Sequence, residues 1–147
     1  MKIKKRCLHL FFWLMLFGLT LMLSDCVSYY HIPPGTLEAS KAQISLQERG
    51  ATWQRAIGVL LDQGYVPQVL NETAFFISAR RRDDLENDAL VNTMVTVYIS
   101  QEGTLRVEIS GGGLFTSEKQ FLNAISEKQN IIFNLIMNRS GGASGSH

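Results

Sequence analysis

The chain of 147 residues is poor in the side chains on which most catalytic and metal chemistry depends. Its only histidines are His9, His31 and His147, and its only cysteines are Cys7 and Cys26. None of the five falls between residues 45 and 138, the stretch whose patterning reads as a folded domain. Zinc is held by several nitrogen or sulfur ligands in tetrahedral array, so no metal site is expected. Nucleophilic catalysis needs a base within hydrogen-bond reach and a third group to orient it. No Gly-x-Ser-x-Gly elbow is present, and a histidine outside the domain has no rigid support. Glu72, Glu86, Glu102 and Glu108 read as solvated acids. Gly111-Gly112-Gly113 lacks the Gly-Lys-Ser/Thr ending of a nucleotide loop, and reads as a flexible strand exit. The expectation is a protein with no catalytic residues and no cofactor, not an enzyme.

Charge is missing altogether from one segment. Lys2, Lys4, Lys5 and Arg6 precede a run from Leu10 to Leu23 that contains no formal charge. A basic cluster stays on the cytoplasmic side while an apolar run enters the bilayer, so residues 1–25 read as an export signal and are set apart from the fold. The run is shorter than the roughly 20 residues that cross a bilayer comfortably. A retained signal anchor is the competing reading, since Cys7 to Ser24 is interrupted only by His9. Four of the 14 basic and one of the 13 acidic residues lie in this segment, leaving 10 against 12 and a net charge of −2. A weakly acidic remainder has no electrostatic case for nucleic acid, which favours a concentrated basic surface.

If the leader is removed before Cys26, the remaining chain has one thiol and cannot close an internal disulfide. Leu23-Ser24-Asp25-Cys26, following a basic and then an apolar region, resembles the signal sequence of bacterial lipoproteins. Asp25 stands where that family usually has Gly, Ala or Ser. The resemblance covers about the first 26 residues, and it implies diacylglycerol on Cys26 with a further acyl chain on its amino group. Val27 in place of an aspartate implies delivery to the outer membrane, with the domain in the periplasm. Two or more acyl chains are what stable attachment requires.

Residues 26–44 read as a flexible tether, because Pro33-Pro34-Gly35 favours a turn and removes backbone donors. Ser45 and Glu48 have the spacing of a capping box ahead of a helix whose apolar face carries Leu46, Trp53, Ala56, Ile57, Leu60 and Leu61. Gly50 and Gly58 would permit close approach to a sheet, and Gly64 suits the left-handed closing position. Strands follow over Tyr65 to Leu70 and Thr73 to Arg81, with a tight connection at Asn71-Glu72 and Pro67 pointing to a sheet edge. Val95, Val97 and Ile99 alternate with Met94, Thr96 and Tyr98. Beyond Gln101-Glu102-Gly103, Leu105, Val107 and Ile109 alternate with Arg106 and Glu108. Period-two patterning predicts a hairpin with both aliphatic trios on the core face. Ser117 and Gln120 suggest a second capping box before a helix with Phe121, Leu122, Ile125, Ile132, Phe133 and Ile136 inward. Residues 139–147 read as a disordered tail.

The predicted fold of residues 45–138 is an α+β two-layer sandwich, with a four-stranded, mainly antiparallel sheet flanked by N- and C-terminal helices. The candidate contact residues are Arg80, Arg81 and Arg82, and on the sheet Met94, Tyr98, Arg106 and Glu108. The leading expectation is a lipid-anchored envelope accessory or assembly protein that meets another envelope protein through its open sheet face or edge strand. The alternative is a binding module for a lipid, glycan or small ligand in a helix–sheet cleft. A homo-oligomer is compatible with the sequence.

Overall fold

The computed structural model describes residues 26–82 and 89–138. The export segment, the acids Asp83, Asp84, Glu86 and Asp88, and the tail expected over 139–147 lie outside the described residues.

The hairpin predicted from period-two patterning forms the centre of the sheet. β5 (Leu90–Ile99) and β6 (Thr104–Phe115) run antiparallel, with Val95 opposite Ile109, Val97 opposite Val107 and Ile99 opposite Leu105. All six side chains are buried, as alternation on a half-covered sheet requires. Outward from β5 lie β4 (Phe76–Arg81) and then β3 (Tyr65–Asn71). Pro67 does sit on an edge strand, at a bulge between Pro67 and Val69. The connection expected at Asn71-Glu72 extends to Phe75, where the Ala74 amide donates to Asn71 Oδ1 at 3.0 Å.

Two further strands lie on the other side of β6, so the sheet has six strands, not four. β1 (Ser28–Ile32) pairs antiparallel with Gly111 to Phe115, and β2 (Ser40–Gln43) with Thr104 to Val107. The tether reading of residues 26–44 is therefore corrected at Ser28–Ile32 and Ser40–Gln43. β6 is 12 residues long, and β5 satisfies only one of its edges. Residues 28–32 and 40–43 supply the hydrogen bonds its other edge needs, although they carry little local strand signal.

The triple glycine is not an exit, because β6 continues through it to Phe115. Gly111 has φ +129°, and a Cβ there would lie 2.6 Å from the Asn92 carbonyl oxygen and the Thr93 Cα. It faces a register shift between Val91 and Met94, where Asn92 adopts φ +52°. At Gly112 a Cβ would fall within 2.2 Å of the Tyr29 hydroxyl, so its absence lets the tyrosine ring lie over the strand.

Both helices pack on the aliphatic face. A 3-10 turn, Leu46–Glu48, leads into α1 (Arg49–Asp62), and α2 (Glu118–Asn138) closes the chain. The Ser45 capping box does not form: its side chain makes no cap hydrogen bond, and the Glu48 amide instead donates to the Ser45 carbonyl at 3.0 Å. At α2 half of the expected box is present, with the Gln120 amide donating to Ser117 Oγ at 3.3 Å. The Gln120 side chain turns to Thr116 instead.

Trp53, Ala56, Val59 and Leu60 from α1 meet Phe121, Ile125, Ile132 and Ile136 from α2 in one core over the sheet. Leu46, Leu61 and Leu122, expected inward, are exposed, because Thr52 and Val59 take the buried stripe of α1 and Gln129 that of α2. Gly50 and Gly58 have open space around them and serve no close approach. Gly64 closes α1 with φ +78°, as its position predicts.

Candidate functional site

Alternation that sends one set of side chains into the core sends the other to the uncovered face. The antiparallel registers arrange that second set in rows. Phe76, Tyr98, Arg106 and Lys41 stand side by side across four strands. Val69, Ser78, Thr96 and Glu108 form the next row, and Val66, Arg80, Met94 and Ser110 the third. Tyr98 is 39 % exposed, and Val66 and Val69 are more so. Phe76 and Met94 are half-buried among their neighbours.

This surface brings together Met94, Tyr98, Arg106 and Glu108, as the strand pattern predicts. The Arg106 guanidinium donates to Glu108 Oε2 at 3.3 Å, with 48 % of the arginine side chain exposed. Paired charges two residues apart on one strand keep the arginine laid along the sheet. With its arginine half exposed, the pair stabilises the fold by about 0–1 kcal/mol, and the Arg106 guanidinium stays accessible to other partners, while the Glu108 side chain is only 15 % exposed. The other Glu108 carboxylate oxygen accepts from the Gly35 amide, which fixes the Pro33-Pro34-Gly35 loop against the face.

The three arginines separate. Arg80 belongs to the open face, donating from Nη2 to Asn92 Oδ1 at 3.0 Å. Arg81 is removed from the contact set. It is only 9 % exposed and donates from Nη1 to the Leu90 carbonyl at 3.2 Å, on the helix-covered side. The alternation of Ile77 and Ala79 carried that signal, since the next inward position is 81. Arg82 follows the end of β4 and is exposed, its amide closing the strand end on the Gly64 carbonyl at 3.0 Å. Alternation sends one of Phe75 and Phe76 to this face, and it is Phe76, opposite Tyr98; Val69 was absent from the expected set. Phe75 takes the other direction: its ring meets Trp53 edge-on at 6.4 Å, with the Arg49 guanidinium 4.4 Å from its centroid.

The edges are less open to strand addition than the face is to contact. β3 carries a proline and a bulge, both of which blunt an edge. On the opposite side the outer edge is broken into two short strands, β1 of five and β2 of four residues, and the interval of β6 between them is closed by Gln129. Its Oε1 accepts from the Ile109 amide at 3.0 Å, and its Nε2 donates to the Glu38 carbonyl at 2.8 Å and to Ser40 Oγ at 3.2 Å.

Among the described residues, no group of three or more His, Cys, Asp or Glu could hold a metal ion. The Glu102 carboxyl is held below its ordinary value, first by a hydrogen bond from its own backbone and then by Ser100. It lies in the exposed β5–β6 turn rather than in a cleft. Cys26 is exposed, two positions before β1. No helix among the described residues is long and apolar enough to cross a membrane. No protein-family model matches the chain, and no curated protein does.

Proposed function

We propose that the protein is a lipid-anchored accessory or assembly component of a bacterial envelope, acting through protein–protein contacts rather than chemistry. Lipid on Cys26 confines it to the membrane, most simply the outer membrane with the domain in the periplasm. Confinement raises the encounter frequency with any membrane-held partner. The observation that carries the reading is the uncovered sheet face, where Phe76, Tyr98, Met94, Val66 and Val69 lie among Arg80, Arg106 and Glu108. Aromatic, methionine and arginine side chains are those enriched at protein interfaces. The blunted edges favour docking onto this face over strand addition. Side chains of both helices fill the space above the aliphatic face, which favours a surface contact over a ligand held between helices and sheet.

The test is crosslinking in native membranes followed by affinity capture, comparing the full chain with Cys26→Ala and with Tyr98→Asp. One discrete neighbour captured with the parent chain and lost with both variants supports the proposal. A chain that captures no enriched neighbour, or whose neighbours are unchanged by Tyr98→Asp, overturns the contact face.

A further inference from the structure

We infer that the Cys26 end of the sheet rests directly on the bilayer, with Val27, Tyr29 and Leu114 set into the headgroup layer. This rests on the reading that the chain is anchored at or just before Cys26. β1 begins two positions after Cys26, and two extended residues span about 7 Å. One leaflet's headgroup region is itself about 5–8 Å deep. An anchor in the hydrocarbon at this point therefore leaves no spacer, and the first strand enters the sheet at the membrane surface.

The side chains found there suit that position. Tyr29 pairs with Leu114 and Ser28 with Phe115, the last pairs of β1 with β6. Val27, Tyr29 and Leu114 are 58 %, 54 % and 50 % exposed; the register puts Tyr29 and Leu114 side by side on one face, and Val27 immediately precedes β1 at the same end. Tyrosine is enriched at the headgroup level, where its apolar ring and polar hydroxyl are both accommodated. Both segments are also free of charge. Residues 26–37 contain no Asp, Glu, Lys or Arg, and neither do residues 109–117, between Glu108 and Glu118. Carrying these two segments into the interface strips no ion of its water. The Leu114 amide, however, donates at 2.8 Å to Ala89, which follows the acids Asp83, Asp84, Glu86 and Asp88 in the chain, so the contact is shallow and is made by the β1 side of this end. The contact face then stands upright from the membrane. The row of Phe76, Tyr98 and Arg106 lies towards the far end, and the C-terminus of α2, about 30 Å long at 1.5 Å per residue, leaves away from the lipid.

The experiment reconstitutes the full chain in phosphatidylethanolamine–phosphatidylglycerol vesicles containing a phospholipid with a photoactivatable group near its glycerol. Crosslinks are then localised by mass analysis. Lipid adducts are expected on residues 27–31 and 111–116, and none at Leu46 or Val69, which are exposed near the opposite end. Val27→Asp/Leu114→Asp, at two exposed positions, should lower the adducts on 111–116 at least fivefold and leave those on residues 1–26 unchanged. Adducts confined to residues 1–26 in a chain that sediments with the vesicles would overturn the docking and leave the anchor standing. A chain that does not sediment with them would overturn the anchor itself.

Discussion

Gln129 gives the sharpest test of how the sheet is completed. It is almost fully buried, and it closes the interval between β1 and β2 where neither strand reaches β6. Gln129→Ala removes the acceptor of the Ile109 amide and the donor to the Glu38 carbonyl and Ser40 hydroxyl. A buried amide left without a partner costs about 1–3 kcal/mol, and the two partly buried acceptors add roughly 0.5 kcal/mol each. The expected loss is about 2–4 kcal/mol, a large share of the roughly 5–15 kcal/mol that holds a domain together. For about 100 residues this lowers Tm by at least about 10 °C. Urea unfolding of the full chain in detergent, followed by far-UV circular dichroism, measures the loss, and hydrogen exchange locates it at Ile109. Gln129→Glu separates the two roles. It keeps an acceptor for Ile109 but turns an oxygen toward the Glu38 carbonyl, so the new carboxyl titrates above its ordinary value. This variant should be weakest at neutral pH and recover as pH falls through that raised value, where the protonated group donates again. A change below about 0.5 kcal/mol for Gln129→Ala, or unaltered protection of Ile109, would refute this account of the broken edge.

Other outcomes follow from single residues. Trp53 is buried with its indole nitrogen unpartnered among the described residues. Trp53→Phe should therefore change stability by less than about 1 kcal/mol, while Trp53→Ala costs about 3–5 kcal/mol in the same unfolding assay. Gly111→Ala combines a left-handed φ with overlap on the Asn92 and Thr93 backbone. It should destabilise by about 2–5 kcal/mol, whereas Gly50→Ala, in open helical surroundings, should stabilise by about 0.5–1 kcal/mol. Ser100→Ala should move the Glu102 titration part of the way up toward its ordinary 4.5, read by carboxyl NMR. Because the folded value is depressed, the small stabilising contribution of Glu102 is complete above the unfolded value and disappears as pH falls through the folded one.

Local patterning in the sequence is enough to read the β5–β6 hairpin. Each aliphatic residue in 95–99 and 105–109 is flanked by residues that belong on the opposite face, and the connection between the strands is short, so pattern and proximity specify the same register. The same reasoning places Met94, Tyr98, Arg106 and Glu108 together, because a residue's face on a strand depends only on its parity. Parity also held the correction for Arg81, given Ile77 and Ala79, although a run of three arginines reads more readily as one patch. What local pattern does not carry is the demand made by a distant edge. Ser40-Lys41-Ala42-Gln43 has no alternation to mark it as a strand, and Ser28 to Ile32 ends at two prolines. They are strands because β6 presents unpaired amides and carbonyls more than 60 residues away. Gln129 reads as a polar interruption of an apolar helix stripe, until the gap between those strands exists for it to fill. Side-chain parity is a property of neighbouring residues, while backbone hydrogen-bond satisfaction belongs to the whole sheet, so sequence alone determined the hairpin and its open face. Only the tertiary structure converted the supposed tether into the edge of the domain.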